Sequence, residues 1–283
     1  MTIAYFIMAH HKPRQLRWLM DAIYNPDDMF LLHVDLKSRL GIKADRAGVW
    51  ETAKHLAAGR PNVRVLRSRL TNWGGWSLSK LQLDAIDTAL AMSPDWTHFI
   101  NLSGQCYPLK PAEEIRRFLD TTGDRVAVEL RHFSTLPDDD WHLRWHPMIE
   151  LPHKAIKFRG PRRSPADFEL VHKGSQWSIL PRSFCEWRQR SPVARGIVRY
   201  LRNLLLSDEL IIQTLVRNGP WKDRVAGHYG REIVWPGPKV MTTEDWDRLD
   251  SSPALFARKF DAGVDENILR LLASKNGYRF PPS

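Results

Sequence analysis

The sequence predicts an α/β fold built on a mainly parallel sheet with helices on its faces. Three observations carry this prediction. Short apolar, β-rich runs alternate with helical patterns through the first half. That alternation implies right-handed crossovers between parallel strands. A chain of 283 residues is also long enough to bury the core such a sheet needs without disulfides or a structural metal.

The elements follow in order. A strand over residues 3–10 precedes a helix over 14–24, a strand over 30–35 a helix over 49–58, and a strand over 63–66 a helix over 77–91. The rhythm continues with a strand over 98–102, a helix over 112–119 and a strand over 126–130. Ligands of parallel sheets belong at the carboxyl ends of the strands. Those ends carry His10 and His11, Asp35, the stretch after Leu70, Ser103 to Tyr107, and Glu129. Between about 131 and 173 the periodicity fails in a segment rich in Pro, Trp, His and Arg. A stretch of that length is read as a functional loop or lid. Order returns with a strand over 176–180, a helix over 182–190, a helix opened by Ser207, a strand over 232–235 and a terminal helix over 264–274. No internal repeat is visible, so the chain reads as one domain with an elaborated C-terminal half.

Composition narrows the class. Lys and Arg number 42 against 32 Asp and Glu, a net charge of +10, which favours anionic partners: nucleic acid, a membrane face or phosphorylated small molecules. The hydrophobic share of 43% with 26% charged excludes disordered and fibrous classes. Twelve Trp residues suit either a core or sugar-stacking indole faces. Cys106 and Cys185 are too few for a disulfide framework or a zinc site and fit a reducing compartment. No leader pattern and no run of about 18 apolar residues occurs, so neither conventional secretion nor a membrane span is expected.

The motifs exclude some chemistries and leave others open. The first strand–helix turn is Ala9, His10, His11, Lys12, Pro13, without the glycines of a dinucleotide fingerprint or a Walker loop. Asp35, at the end of the second strand, either binds a ribose hydroxyl or base edge or caps the next turn. The Asp138, Asp139, Asp140 run is the literal match to a metal-binding Asp-x-Asp, but no strand precedes it, and it reads as a solvated acidic turn. A diphosphate could instead be balanced by Arg231, before the strand over 232–235, and by Arg258 and Lys259, after Leu255 and Phe256. Ser207, Asp208 and Glu209 read as an N-cap and first turn, or Glu209 is a general base aimed into a cleft. The cluster Lys154, Lys157, Arg159, Arg162, Arg163 is either a solvated loop or a patch for lipid headgroups or nucleic acid.

Six blocks in sequence resemble one family. They are Tyr5 through Ala9–His10–His11–Lys12 to Asp35, Lys37 and Ser38; Trp73–Gly74–Gly75–Trp76–Ser77; Asn101–Leu102–Ser103–Gly104 with Tyr107–Pro108–Leu109–Lys110; Gly174–Ser175–Gln176–Trp177; Ser207–Asp208–Glu209; and Leu255 to Asp261. Together they resemble the core-2/I-branching β-1,6-N-acetylglucosaminyltransferases and peptide O-xylosyltransferases, glycosyltransferase family 14. The resemblance implies a GT-A-like, Rossmann-like fold and an inverting transfer of a sugar, N-acetylglucosamine or xylose, from a UDP-sugar to a hydroxyl of a glycan or glycolipid, without a metal cofactor. It implies a nucleotide-binding half over 1–130 and an acceptor and diphosphate half over 131–283. It places Met8, His10, Asp35 and Trp73 at the nucleotide, Arg231 and Lys259 at the diphosphate, Glu209 as the catalytic base and Glu129 at the acceptor. Cys106 stands where the family commonly has Asp, a departure that touches donor-sugar recognition.

The membrane anchor and extra cysteines of animal relatives are absent from this sequence. That implies a bacterial-style cytoplasmic enzyme with peripheral contact to an anionic membrane, and no nucleic acid as partner. Two other classes predict different behaviour: a basic polyanion- or nucleic-acid-binding protein, with salt-dependent binding to any polyanion, and a sugar-nucleotide binder without turnover.

Overall fold

A computed structural model of the chain describes residues 1–40, 47–144, 147–151, 155–158, 165–235 and 237–280. It is a mixed α/β protein that divides into two compact units interleaved along the chain: unit 1 holds 1–69, 95–123 and 230–283, unit 2 holds 70–94 and 124–229. Residues 1–130 and 131–283 each contribute to both units.

Unit 1 is built on strands β1 (Thr2–Ala9), β2 (Met29–Val34), β3 (Val63–Val65) and β4 (Trp96–Ser103). They lie side by side in the order β4, β1, β2, β3, every neighbouring pair parallel. All of β2 and nearly all of β1 is buried, as a sheet covered on both faces requires. Each buried large aliphatic or aromatic side chain contributes about 1.5–3 kcal/mol, which fixes the register Met8 opposite His33 on one side and Ser103 on the other.

Helix α1 (Pro13–Ile23) follows β1 with Pro at its first position, a residue whose missing N–H costs nothing there. It buries Leu16, Leu19, Met20 and Ile23. Helices α2 (Leu36–Arg39) and α3 (Val49–Ala57) connect β2 to β3. A second small sheet joins β11 (Arg231–Ile233), β12 (Phe256–Arg258) and β5 (Tyr107–Pro108). Helices α5 (Ala112–Thr122), α10 (Trp246–Ser251) and α11 (Asn267–Lys275) complete the unit.

Unit 2 is mostly helical. Its long helix α4 (Trp76–Met92) accompanies α7 (Arg182–Arg190), α8 (Pro192–Leu201) and α9 (Ile211–Arg217), with a 3₁₀ turn, Ser207–Glu209, before α9. Strand β10 (Ile179–Pro181) bridges Ala127 through Ile179. The stretch read from sequence as a loop or lid instead carries short elements. They are two strand pairs, β6 (Arg131–His132) with β9 (His172–Lys173) and β7 (Met148–Glu150) with β8 (Ala155–Lys157), and the one-turn helix α6 (Trp141–Arg144). Elements of two to four residues are too short to show a period, so the pattern failed there without the structure failing.

The other departures have local causes. The strand expected over 126–130 is reduced to isolated bridges at Val126 and Ala127, and Ser207 opens a 3₁₀ turn before the α-helix begins at Ile211. Helix α8 was not anticipated, although Ser191 accepts the Ala194 N–H and Pro192 follows it, an ordinary helix start. No helix of the described residues is long and apolar enough to cross a membrane.

Candidate functional site

In unit 1 the candidate residues gather at the carboxyl ends of β1 and β2 and in the segment after β12. Met8 is half-buried near the end of β1, and its carbonyl accepts the Gly104 N–H at 2.9 Å. His10, just beyond, is exposed and stacks on His11 with ring centroids 4.0 Å apart. The His10 carbonyl accepts the Ser38 hydroxyl at 2.5 Å, which ties the β1 turn to α2. Asp35 is buried and caps α2, its Oδ1 accepting the Lys37 N–H at 2.8 Å, while its own N–H donates to the Ala9 carbonyl. The capping role left open by the sequence is therefore real, and it holds the carboxylate at the strand end. Beneath it, His33 Nε2 accepts the Arg69 N–H at 3.1 Å, and burial pushes this imidazole down to about 4.

The segment carrying Lys259 is fastened to α1. Phe260 O accepts Gln15 Nε2 at 2.9 Å and Gln105 Nε2 at 3.1 Å, and Gln15 Oε1 accepts the Ala262 N–H. Lys12 pairs with Asp261 at 2.7 Å. Partial burial pushes the Asp261 carboxyl upward, but the bonds from Lys12 and the Gly263 N–H outweigh it and hold it below the usual range. Lys259 itself is partly exposed.

Arg231 is placed otherwise. Its side chain is buried, Nη1 and Nη2 donate to the carbonyls of Gly230 and Asn101 at 3.1 Å each, and the guanidinium lies over the Phe256 ring. Arg258, half-buried, hydrogen-bonds the Cys106 thiol. Cys106 Sγ in turn accepts the Ser103 N–H at 3.3 Å. The residue that departs from the family pattern is thus buried against a cation.

In unit 2 the candidates are Trp73, Glu129 and Glu209. Trp73 is 77% exposed, on a turn locked from both sides. Gly74, at φ +66°, gives its carbonyl to the Leu206 N–H at 2.8 Å, and a Cβ there would meet Leu205 and Leu206 at 3.2 Å. Glu150 of β7 accepts Asn72 Nδ2 and the Ser77 N–H, each at 3.0 Å, and the Ser77 hydroxyl. A carboxylate at the start of α4 also answers the helix dipole. Glu150 went unnoticed in the sequence because only its cross-strand placement reveals the contact.

Glu129 and Glu209 meet the same glycine. The Gly174 N–H donates to Glu209 O at 2.9 Å, and a Cβ on Gly174 would fall 1.9 Å from Glu129 O. No residue but glycine fits there, because its nearest obstacle is rigid backbone. Gln213 Nε2 bonds Ser175 O at 2.9 Å, and the Glu129 carboxylate pairs with Arg131 at 2.9 Å.

The Glu209 carboxylate lies 2.9 Å from Nε2 of the buried His142. His142 Nδ1 is 2.6 Å from Asp140 Oδ1, and Asp140 Oδ2 pairs with Lys173 at 3.0 Å. Asp140 is therefore not the solvated turn residue the sequence suggested; Asp138 and Asp139 are exposed. Partial burial pushes Asp140 upward, but bonds from the His142 N–H, its ring and Lys173 outweigh it and bring the carboxyl to about 2. Asp208 goes the other way: burial, then the neighbouring charge of Glu209, raise it to about 7.

Lys154, Arg159, Arg162 and Arg163 lie outside the described residues. Lys157 is exposed on β8. Among the described residues no group of three or more His, Cys, Asp or Glu is arranged to hold a metal ion.

The chain is similar to known proteins. Xylosyltransferase 2 of Rattus norvegicus is 29% identical over 99% of this chain and 34% of its own length. A human beta-1,3-galactosyl-O-glycosyl-glycoprotein beta-1,6-N-acetylglucosaminyltransferase 3 is 23% identical over 98% of this chain and 68% of its own. The chain thus spans about a third of the length of the xylosyltransferases it matches. The crystal structure of mouse xyloside xylosyltransferase 1 aligns over 90% of this chain and 97% of that one, at 11% identity and a TM-score of 0.39. Residues 3–260 match the Core-2/I-branching enzyme family, to which this chain belongs.

Proposed function

We propose that the chain is an inverting glycosyltransferase that moves a sugar, N-acetylglucosamine or xylose, from a UDP-sugar to a hydroxyl of a glycan or glycolipid, without a metal ion. The observation that carries this reading is the Glu209 carboxylate, kept partly exposed while its Oε2 is held by a buried histidine, in a chain of the Core-2/I-branching family. A carboxylate held at one oxygen and open at the other is placed to accept a proton.

The roles divide as follows. Met8, His10 and Asp35 receive the nucleotide at the strand ends, and Trp73 offers an indole face to it. Glu209 takes the proton of the acceptor hydroxyl, whose oxygen attacks the anomeric carbon opposite the diphosphate; UDP departs and the configuration inverts. Lys259 contacts the leaving diphosphate, and the buried charge of Arg231 contributes through its field, which low dielectric preserves. Glu129 binds an acceptor hydroxyl. Cys106, standing where an acid is usual in the family, leaves the donor sugar to be settled by experiment.

We further propose that the protein works at the cytoplasmic face of an anionic membrane. Ile149 and Ile156 are cross-strand neighbours on β7 and β8, and with Leu151 and Phe158 they form one exposed apolar face. The alternate residues turn inward: Met148 packs with Leu205 and Leu206, and Glu150 caps α4. The sequence from 151 to 166 carries Lys154, Lys157, Arg159, Arg162 and Arg163 and no acid. Apolar side chains among cations suit the boundary of anionic lipid.

A thermal-shift screen against UDP-sugars with and without EDTA tests the activity reading. A donor at a hundred times its Kd stabilises by about 2.7 kcal/mol, and the same shift is expected in EDTA, together with slow hydrolysis of that donor. Stabilisation by any polyanion, lost with salt, favours the nucleic-acid class instead. A selective shift without hydrolysis or transfer favours a non-catalytic binder.

A further inference from the structure

We propose that His142, oriented by Asp140 and Lys173, is the positioning residue of Glu209: its Nε2 lies against Oε2 and leaves Oε1 to take the acceptor proton. The inference rests on the reading of Glu209 as the base.

The geometry leaves few places for the protons. His142 Nδ1 and Asp140 Oδ1 are 2.6 Å apart, too close for two lone pairs to face each other, so a proton lies between them. Asp140 also accepts the His142 backbone N–H at 2.9 Å and the Lys173 ammonium at 3.0 Å. An acceptor so well supplied keeps its charge. The other nitrogen, Nε2, then faces Glu209 Oε2 at 2.9 Å, a close ion-pair contact short of an aligned hydrogen bond. Lys173 Nζ lies 3.0 Å from His142 Nδ1 as well as from Asp140 Oδ2, so an anion and a cation together clamp the far edge of the ring while Nε2 faces Glu209.

The surroundings keep that arrangement in place. On the side of α4, Ser79 Oγ bonds Ser207 Oγ at 2.7 Å and fixes the 3₁₀ turn. Asp208, buried beside Glu209, holds its own proton near neutrality and so spares Glu209 a second negative charge. Glu129 and Arg131 pair with each other on the segment where Arg131 neighbours Lys173 in the β6–β9 ladder. The backbone of Glu209 is tied to Gly174. His142 is thus the side chain that touches the base, and removing it frees the carboxylate from that contact.

The experiment is the pH profile of kcat/KM for the whole protein and for His142→Gln, Asp140→Asn and Glu209→Gln, with kcat and donor KM measured separately. In His142→Gln, kcat is expected to fall about ten- to a hundredfold with donor KM within about twofold, and the acidic limb to move up by about 1–2 pH units. Asp140→Asn moves the limb in the same direction by less. Equal losses at every pH, with the limb unmoved in both variants, mean a structural role only and overturn the proposal. If His142→Gln does not fold, the limb of Asp140→Asn decides. Near-wild-type turnover in Glu209→Gln defeats the base reading itself, whereas an inactive Glu209→Gln with unmoved limbs in the other two defeats only the role of His142.

Discussion

The two units hold their candidate residues by different means. In unit 1, Met8, His10 and Asp35 sit at the ends of long, buried, parallel strands, and backbone ladders and caps set their positions. In unit 2, Glu209 sits on a single 3₁₀ turn and is held by residues distant in sequence: its carboxylate lies against His142, and its carbonyl accepts the Gly174 N–H. A site set by a ladder tolerates loss of one side chain, and a site set by an ion cluster does not. Single substitutions and pH are therefore expected to act more strongly on the candidate residues of unit 2 than on those of unit 1.

The largest expected effect tests that division directly. Glu209→Gln should lower kcat by about 10²–10⁴ while UDP affinity, measured by calorimetry, stays within about twofold. An equal loss of affinity would erase the distinction between the units.

Next in size are two stability effects of opposite sign. His33 in unit 1 falls from an ordinary 6.5 to about 4, so the unfolded chain binds more protons between those values. Its contribution is present above pH 6.5 and lost as pH falls toward 4, on the order of 3 kcal/mol. Urea denaturation of His33→Gln should show a flattened acid limb. Asp208 in unit 2 rises from 3.8 to about 7, so the folded chain binds more protons, and stability is lost as pH rises through 7. Asp208→Asn should therefore gain stability at pH 8 relative to pH 5, also by a few kcal/mol.

Smaller effects sharpen the picture. Lys259→Met should reduce kcat/KM by about 2 kcal/mol, the value of a hydrogen bond to a charged group, with little change in Tm. Arg231→Met should lower Tm instead, since its guanidinium serves two carbonyls within the fold. Smallest is Trp73→Ala, expected to weaken UDP binding by about 1 kcal/mol without altering Tm because the indole is exposed.

Much of unit 1 was legible because its elements are long enough to show a period. Strands β1 to β4 and helices α1, α3 and α5 begin or end within a few residues of the expected bounds, as does the long α4 of unit 2. The cap at Asp35 was one of two alternatives that position alone allowed. What could not be read was the Asp140–His142–Glu209 cluster and the Glu150 clamp on Ser77. Both join residues far apart in sequence through two- to four-residue elements, where neither periodicity nor spacing carries information. The burial of Arg231 was likewise hidden, because sequence shows a cation but not which carbonyls it will meet.

The most direct test of the central claim is proton NMR of a sugar transfer in progress, with purified protein, a UDP-sugar that passes the thermal-shift screen, and excess EDTA. The account predicts a product whose anomeric configuration is opposite to that of the donor, formed at an undiminished rate. A product of retained configuration, or a rate abolished by EDTA and restored by Mn²⁺, would contradict it.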